Sequence, residues 1–548
     1  MKYIKGYNRN QLALFPISID EAIEQDNEVR LIDLFIESLD IKAMGFKVDH
    51  IENGRPAYHP KDLLKLYLYG YMNRIRSSRQ LERACKINIE VMWLLKGLSP
   101  DHNTISNFRK DNPKAIKKVF RASVSLAQSF ELIGSKLIAG DSTKFRAQNS
   151  KKNNFNQKKI DRHLAYIDSK LAEYEKLLSE SENSENSETK QSLPNKEEIK
   201  KEIEKHKQRK ATYTSLSTQL KESNEKQIST SDPESRQMIT RNNITEVAYN
   251  VQATIDSTYN LPIDYKVTNA NDSKAMGMML RRAKTILRSN SYTALYDKGY
   301  HTGSEFKIAN ELGINVLVAI PSVATNAPDK AYNVEHFTYY EEGDYYLCPE
   351  GNKLHTTGKW HQAKTYKFKR YTSKSCLQCT VKAKCSKAKY GKAIQRSEYQ
   401  ELIENNKKRI TEHQNYYRKR QAIVEHPFGT FKRQWGFSYI ITKKYIKRAE
   451  ADVGLIFTSY NFRRIINIIG FKNLKNHLQK VLILFYTQIL LTGSQKIRFK
   501  PINIYISFFN FFSITSEKSL YLQKINGITV NEQGFWTNCR CASCKKKT

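Results

Sequence analysis

No stretch of this sequence is apolar for long enough to cross a bilayer. The longest such run, VLILFYTQILL beginning at Val481, is shorter than the roughly 20 residues that a membrane-spanning helix needs. We expect it to form a buried helix. The opening residues MKYIKGYNRNQ lack the apolar segment that follows the lysines of a secretory signal, so we expect a soluble protein of the cytoplasm.

Acidic residues and cysteines are also scarce. The 548 residues include 55 Asp and Glu against 91 Lys and Arg, a formal net charge of +36. This excess favours a polyanionic partner, because each basic side chain on a phosphate releases a counterion. Compositional drift in an AT-rich genome is the alternative. The eight cysteines are Cys85 and seven others towards the C-terminus, which is not the even spread of a disulfide framework.

Helical periodicity dominates about the first hundred residues. In HPKDLLKLYLYGYMNRI the apolar side chains recur at helical spacing, and SRQLERAC and NIEVMWLLKGL predict two further short helices. The next segment, SPDHNTISNFRKDNP, predicts a polar helix that carries Asn103, Thr104 and Arg109. Short helices with a polar, basic last member are typical of a helix-turn-helix DNA reader. A plain helical bundle with a solvated last helix is the alternative.

From about Ser135 the pattern becomes that of an α/β protein. KLIAGD is a short apolar run that ends at Asp141, as a buried strand would. Two alternating segments flank the turn STYN and predict a β-hairpin. The helix KAMGMMLRRAKTIL, the strand YTALYD ending at Asp297, the helix SEFKIANELG and the strand INVLVAI then follow. This order of elements predicts a sheet with helices between its strands.

Two segments interrupt this core. In the first, residues 150–240, apolar residues alternate three and four apart, and a second charged helix follows the link SESENSENSETK. We interpret it as a helical hairpin, which is either a dimer contact or a DNA-facing arm. The second, residues 326–395, predicts a small insertion with the number of ligands for a tetrahedral structural zinc ion, Zn2+, with reduced, unliganded thiols as the alternative. Its cysteines are Cys348, Cys376, Cys379 and Cys385.

Three acidic residues are candidates for a metal site. Asp141 and Asp297 end strands that would be neighbours, so both carboxylates would emerge at one edge of the sheet. The third candidate is Glu425 in NYYRKRQAIVEHPFGTFKRQWGF, a stretch that Pro427 is expected to kink or end if it is helical. Grouped carboxylates hold paired divalent metals, such as magnesium, for phosphoryl transfer. The alternatives are capping aspartates and a glutamate paired on a solvated basic helix.

Several motifs together resemble the insertion-sequence transposases of the DDE superfamily, in the group called IS-eleven-eighty-two. The resemblance extends to about residue 470 and rests on SSRQLERACKINIEVMWLLKGLSPDHNTISNFRK, GDSTKFRA, VAYNVQATID, LYDKGYH and RQAIVEHPFGTFKRQWGF. It implies an RNase H-like core with Asp141, Asp297 and Glu425 as ligands for Mg2+ or Mn2+. It also implies a Tyr–Arg–Glu–Lys signature, with an Arg-to-Glu interval one residue longer than usual. The signature residues are Tyr417, Arg420, Glu425 and Lys432.

The resemblance also implies a function and a domain organisation. The enzyme would bind the ends of its mobile element on double-stranded DNA, cut them by hydrolysis and join the 3′-hydroxyl ends to target DNA, as a homodimer or larger assembly in the nucleoid. A structure-specific nuclease and a non-catalytic DNA-binding protein derived from a transposase are the alternatives. The predicted domains are a helical DNA-binding domain at residues 1–125, an RNase H-like catalytic core at 126–470 and a C-terminal tail of unclear role at 471–548.

Overall fold

The computed structural model describes residues 18–48, 56–183, 196–240, 243–322 and 327–493. Within these ranges the chain is a mixed α/β protein with a helical N-terminal region, as the sequence predicts. The cysteine trio near the C-terminus (Cys539, Cys541 and Cys544) and most of the link SESENSENSETK lie outside the described residues.

The N-terminal region consists of short helices packed around one central helix. These helices are α1 (Glu28–Glu37), α2 (Ile41–Met44), α3 (Pro60–Met72), α4 (Ser78–Ile87), α5 (Ile89–Leu94), α6 (His102–Asp111) and α7 (Pro113–Ser129). Helix α3 begins with a proline, which needs no hydrogen-bond acceptor in the first turn. Helix α6 is capped by Asp101, whose carboxylate accepts hydrogen bonds from the backbone N–H groups of Asn103 (2.9 Å) and Thr104 (3.1 Å).

Two larger sheets and one short pair of strands make up the β structure. The strands are β1 (Leu137–Arg146), β2 (Asn154–Phe155), β3 (Ile228–Ser229), β4 (Arg236–Ile239), β5 (Thr245–Asp256), β6 (Leu261–Thr268), β7 (Thr293–Tyr296), β8 (Asn315–Val318), β9 (Thr338–Tyr340), β10 (Tyr345–Leu347), β11 (Lys353–Gln362), β12 (Lys367–Thr372) and β13 (Ala393–Ser397). In the central sheet β8, β7 and β1 are parallel neighbours, and β5 pairs antiparallel with β1. Strands β4 and β6 both pair with β5, and the β5–β6 hairpin turns at STYN as expected.

Strand β1 is longer than the sequence pattern suggests. It continues five residues beyond Asp141 to Arg146, so Asp141 lies inside the strand and not at its end. The extension is stable because Thr143 and Phe145 remain buried on one face while the backbone pairs with β5 as far as Ala248. The expectation that Asp141 ends its strand is therefore wrong. Asp297, by contrast, directly follows β7, which ends at Tyr296.

Helices cover both faces of the central sheet, and others extend beyond it. The later helices are α8 (Gln157–Asn183), α9 (Lys196–Glu222), α10 (Met276–Leu287), α11 (Gly303–Glu311), α12 (Lys382–Cys385), α13 (Gln400–Glu412), α14 (Gln414–Gly429), α15 (Ile446–Ile469) and α16 (Phe471–Gly493). Helix α14 packs on β1, β5 and β7, and α15 packs on β6. Helices α8 and α9 lie between β1 and β5 in the sequence. They pack along each other through two small apolar clusters.

Pro427 does not end helix α14. The helix continues to Gly429 and passes into a π-helical turn, Thr430–Gln434. Pro427 has no N–H group to donate to the carbonyl of Ile423, so the regular hydrogen-bond pattern is interrupted here. The helix nevertheless continues for two residues beyond Pro427, and the π-helical turn follows it directly.

Helix α16 contains the apolar run that begins at Val481, and its described part is not buried. Ile483 is 65% exposed, Leu484 49% and Tyr486 50%. The buried residues of this helix, Leu474 and Leu478, lie earlier, where α16 contacts α1 and α15. The prediction that this run forms a helix is therefore confirmed, and the prediction that the helix is buried is wrong for its described part. Among the residues that the structure describes, no helix is both long enough and apolar enough to cross a membrane.

A buried charged group joins the N-terminal helices to α15. Asp452 is 0% exposed, and its carboxylate accepts hydrogen bonds from Arg76 (2.6 Å), from the backbone N–H of Ile441 (2.8 Å) and from the Tyr71 hydroxyl. Arg109 Nη1 lies 3.9 Å from the same carboxylate and donates to the Tyr71 hydroxyl (2.9 Å). Three segments far apart in sequence therefore meet at one carboxylate.

Candidate active site

Strands β1 and β7 bring Asp141 and Asp297 together. They are parallel, with Ala139 opposite Leu295. Asp141 and Asp297 each follow two residues later, so they come to the same level on the same face of the sheet. The matching position of the two aspartates, which the sequence pattern predicts, is therefore present in the fold.

The carboxylate of Asp141 is mostly buried and only partly compensated. Its Oδ1 accepts a hydrogen bond from the backbone N–H of Ser142 (2.7 Å), and its Oδ2 accepts one from Arg420 Nη1 (3.0 Å). Burial raises the pKa of Asp141, and the negative charge of Asp297 raises it further, while Arg420 and the Ser142 N–H act in the opposite direction. The pKa of Asp141 therefore lies above its ordinary value. Independently of burial, the carboxylates of Asp141 and Asp297 share the single guanidinium of Arg420, so the site has a deficit of positive charge.

Arg420 reaches Asp141 because α14 packs on this face of the sheet. Ile423 and Val424 of the helix are buried in an apolar cluster that includes Ala139 and Leu295. Arg420 lies one turn before Val424 and so points to the sheet. Tyr417, one turn earlier again, interacts with Arg420, and burial raises the pKa of its hydroxyl. Tyr417, Arg420 and the two aspartates thus share one neighbourhood.

Lys432 contacts β1 from the π-helical turn that follows α14. Its Nζ donates to the Thr143 hydroxyl (2.7 Å) and to the carbonyl of Lys144 (2.7 Å), and it lies 5.1 Å from the centre of the Phe145 ring. The ammonium group therefore lies two to three residues along the strand from Asp141, on the side of the sheet that Arg420 also contacts.

Glu425 does not join the two aspartates. Its side chain is exposed, and its Oε1 accepts a hydrogen bond from Gln421 Nε2 (2.9 Å). A helix turns about 100° per residue, so five residues separate Arg420 and Glu425 by about 140° around α14. An interval of four residues would have kept them on one face. The longer Arg-to-Glu interval noted in the sequence thus explains why Glu425 faces away while Arg420 contacts the sheet.

The three candidate DNA contacts on α6 have different surroundings. Asn103 is exposed, and the Thr104 hydroxyl donates to Asp101 (2.6 Å). Arg109 is 3% exposed and belongs to the buried group around Asp452. Its guanidinium is held by protein partners, so we assign Arg109 a structural role and correct its assignment as a DNA contact.

The cysteines of the second interruption are free and lie near the small sheet β9–β13. Burial raises the pKa of Cys385, and the nearby thiols raise it further. The neighbours are Cys376, Cys348 and Cys379. However, within the residues that the structure describes, no group of three or more His, Cys, Asp or Glu side chains is arranged to hold a metal ion. The zinc prediction therefore has no support here, and the four thiols carry no disulfide.

One polar residue near Asp297 escaped the sequence analysis. Asp272, in the 3₁₀ turn Asp272–Lys274 after β6, forms an ion pair with Lys144 of β1 (3.2 Å). The available signal was the pair of amides on β5, Asn250 and Gln252, which are fully buried and bind Asp272. A buried amide requires a hydrogen-bond partner, and the sequence offers no way to identify which one.

Two regions of the chain match family models. Residues 17–111 match the family described as Transposase domain (DUF772), and residues 347–466 match the family described as Transposase DDE domain. The second region contains Arg420, Glu425 and Lys432, whereas Asp141 and Asp297 lie between the two matched regions. No curated protein matches the chain.

One solved structure with some similarity is the cryo-EM structure of the piggyBac transposase synaptic complex with hairpin DNA. The similarity covers 95% of this chain and 92% of that chain at 9% sequence identity, with a TM-score of 0.26. This likeness is too weak to infer a shared fold.

Proposed function

Because the chain belongs to the DDE-type transposases, we propose that it cuts the ends of a mobile DNA element and joins the 3′-hydroxyl ends to target DNA. We also propose that it belongs to the insertion-sequence group IS-eleven-eighty-two and that its core is RNase H-like. The central sheet, with Asp141 on β1 and Asp297 directly after the adjacent parallel strand β7, is the part of the molecule that we assign to this core.

The pairing of Asp141 with Asp297 is the observation that carries the proposal. Two carboxylates on neighbouring strands offer the oxygen ligands that Mg2+ or Mn2+ prefers. Arg420 supplies one positive charge to this pair, and the pKa of Asp141 nevertheless remains raised. A divalent cation would supply the missing positive charge. When bound, such metals stabilise the attacking and leaving oxygens of phosphoryl transfer.

The basic side chains beside the aspartates would bind the DNA backbone. The planar guanidinium of Arg420 suits bidentate binding of a phosphate, and Lys432 is held on β1 by Thr143. Tyr417 would orient Arg420. Glu425 stays our proposed third acidic ligand, and α14 would have to rearrange around Arg420 for it to reach the aspartates.

The proposed DNA partner extends beyond this site. Asn103 and Thr104 on α6 are proposed contacts of the N-terminal helices with double-stranded DNA, and the net charge of +36 supports a polyanionic partner. Pairing two element ends would require at least a dimer of this chain.

The Asp141→Asn variant tests the proposal. We expect it to reduce cleavage of element-end DNA with Mg2+ by at least about a thousandfold, equivalent to about 4 kcal/mol of transition-state stabilisation. DNA binding, measured in the same samples without metal, should persist. The control is Asp344→Asn, because Asp344 also pairs with a lysine (Lys369, 2.7 Å) but lies in the small sheet.

The products separate the alternative functions. Joined DNA from the wild-type protein supports a transposase, whereas cleavage without any joined product indicates a nuclease. If Asp141→Asn retains every activity of the wild-type protein, the chain is a non-catalytic DNA-binding protein.

A further inference from the structure

A second polar cluster lies on the sheet face opposite Arg420. Side chains alternate along β1, so Ser142 and Lys144 point away from the face that carries Asp141. Gln252 lies opposite Ser142 on β5, and Asn250 lies opposite Lys144, so all four side chains share this second face. They surround the carboxylate of Asp272.

The carboxylate of Asp272 binds protein donors at both oxygens. Its Oδ1 accepts hydrogen bonds from Asn250 Nδ2 (2.7 Å) and Gln252 Nε2 (2.6 Å). Its Oδ2 pairs with Lys144 Nζ (3.2 Å), which also donates to the Ser142 hydroxyl (2.9 Å). Both carboxylate oxygens of Asp272 are therefore engaged by protein donors, and we do not assign Asp272 as a metal ligand.

The cluster continues to the turn that carries Asp297. Because Gln252 Nε2 faces Asp272, its Oε1 faces the other way and accepts a hydrogen bond from the Tyr300 hydroxyl. Tyr300 is fully buried and ends the 3₁₀ turn Lys298–Tyr300. Asp297 caps this turn, with its Oδ1 accepting a hydrogen bond from the backbone N–H of Gly299 (2.9 Å).

Gly299 lies close to the carboxylates of both Asp297 and Asp272. A Cβ atom at this position would lie 3.1 Å from Asp297 Oδ1 and 3.8 Å from Asp272 Oδ2. The carboxylates of Asp297 and Asp272 therefore both lie close to the backbone of Gly299. The turn that orients Asp297 rests against Asp272 and is tied to it through Gln252 and Tyr300.

We propose that Asp272 is a positioning residue, which holds Asp297 at the correct distance from Asp141 through the hydrogen-bonded chain Lys144–Asp272–Gln252–Tyr300. The proposal rests on the proposed function, in which Asp141 and Asp297 bind a divalent metal. One end of the chain is on β1 near Asp141, and the other is on the turn of Asp297. It thus connects the two strands that carry the metal ligands.

The expected consequence is a selectivity for metals that demand strict geometry. Mg2+ requires nearly ideal octahedral coordination at short distances, whereas Ca2+ accepts longer and more variable coordination. Displacement of Asp297 should therefore weaken Mg2+ binding more than Ca2+ binding. A purely structural role for Asp272 would instead lower the stability of the protein and leave the ratio of the two affinities unchanged.

Two variants test this inference in the full chain without DNA. Tyr300→Phe removes a single hydroxyl, and Asp272→Asn keeps the shape of the side chain but places an amide beside Lys144. The affinity for each metal is obtained from the rise in Tm with Mg2+ or Ca2+ concentration. We expect each variant to lose about tenfold or more in Mg2+ affinity, as second-layer partners of metal ligands commonly do.

The loss of Ca2+ affinity should be clearly smaller in both variants. Equal losses for the two metals, or affinities like those of the wild-type protein, would overturn the proposal. Asp344→Asn is the matched control, because Asp344 also bonds a lysine and two tyrosine hydroxyls, away from this cluster.

Asp141→Asn separates failure of this inference from failure of the proposed function. If the wild-type protein and Asp141→Asn bind Mg2+ equally, the proposed metal site itself is wrong. If Asp141→Asn abolishes Mg2+ binding while Asp272→Asn and Tyr300→Phe bind like the wild-type protein, the site stands and the positioning role of Asp272 fails.

Discussion

Two arginine–aspartate pairs in this molecule differ in how completely the aspartate is compensated. Asp452 is 0% exposed and interacts with two arginines, a tyrosine hydroxyl and a backbone N–H group. Asp141 has a side chain that is 20% exposed, with one arginine and one backbone N–H group, and Asp297 lies beside it.

This difference appears in opposite shifts of the two pKa values. Burial alone would raise the pKa of Asp452, but the charges of Arg76 and Arg109 outweigh burial and lower it. At Asp141, burial and Asp297 outweigh Arg420, and the pKa is raised. The same kind of ion pair thus has two different roles. At Asp452 it forms a fully compensated structural joint between the N-terminal helices and α15, whereas at Asp141 it leaves a carboxylate that an additional cation would stabilise.

Removal of the charge of Asp452 should have the largest effect on the stability of the protein. Asp452→Asn leaves the buried guanidinium of Arg76 without its counter-charge. Removal of one partner of a buried pair costs about 3–5 kcal/mol, so we expect a loss of this size in the free energy of unfolding. Denaturant unfolding followed by circular dichroism measures it.

The pair of Asp20 and Arg30 (2.8 Å), in which the aspartate side chain is 56% exposed, is the matched control for this prediction. Asp20→Asn removes the same kind of interaction at the surface, where solvent screens it, so its loss should be much smaller. If Asp452→Asn is no less stable than Asp20→Asn, Asp452 is not a joint between the N-terminal helices and α15.

The two aspartates should also give opposite pH dependences. The lowered pKa of Asp452 stabilises the fold above the unfolded-state value of about 3.9, and this stabilisation is lost as the pH falls below it. The raised pKa of Asp141 has the opposite sign, because its contribution is present at low pH and is lost as the pH rises through the folded-state value. At pH 7, therefore, Asp452→Asn should lower Tm, and Asp141→Asn should leave it equal or higher.

Tm measured from pH 7 down to about pH 3 for the three proteins tests these signs. Both differences from the wild-type protein should shrink towards acid pH, one from below and the other from above. A Tm of Asp141→Asn well below that of the wild-type protein at pH 7 would contradict the deficit of positive charge that we infer at this site.

Elements set by local sequence were predictable, and contacts between distant segments were not. The periodicity of α3 and of the β5–β6 hairpin lies within each segment. Asp141 and Asp297 lie at the same height along the sheet because β1 and β7 are parallel neighbours. By contrast, Arg109 has the composition of a DNA contact, and its burial depends on Asp452, which is far away in the chain.

The extent of β1 was missed for a similar reason. Ser142 and Lys144 are polar and interrupt an apolar run, and their partners Asn250, Gln252 and Asp272 come from later elements. A polar face that is satisfied by distant groups cannot be distinguished from a loop by periodicity alone. The candidate site was therefore predictable on the face of Asp141 and not on the opposite face.

Removal of Arg420 should have the smallest effect and sharpens the comparison most directly. Arg420→Gln leaves Asp141 and Asp297 without their nearest positive charge, so Mg2+ should bind more tightly. Asp452→Asn, by contrast, is expected to lose stability. A partly exposed pair is worth about 1 kcal/mol or less, so we expect a gain of at most about fivefold in Mg2+ affinity. The dependence of Tm on Mg2+ concentration measures it without DNA.

Arg420→Lys is the matched variant, because it retains the positive charge but loses the planar fork that binds phosphate. It should bind Mg2+ like the wild-type protein and still cleave DNA more slowly, which separates the charge of Arg420 from its shape. If Arg420→Gln instead weakens Mg2+ binding, Arg420 holds Asp141 in its metal-binding position and does not compete with the metal. The pair of Asp141 and Arg420 would then be a joint of the same kind as that of Asp452 and Arg76.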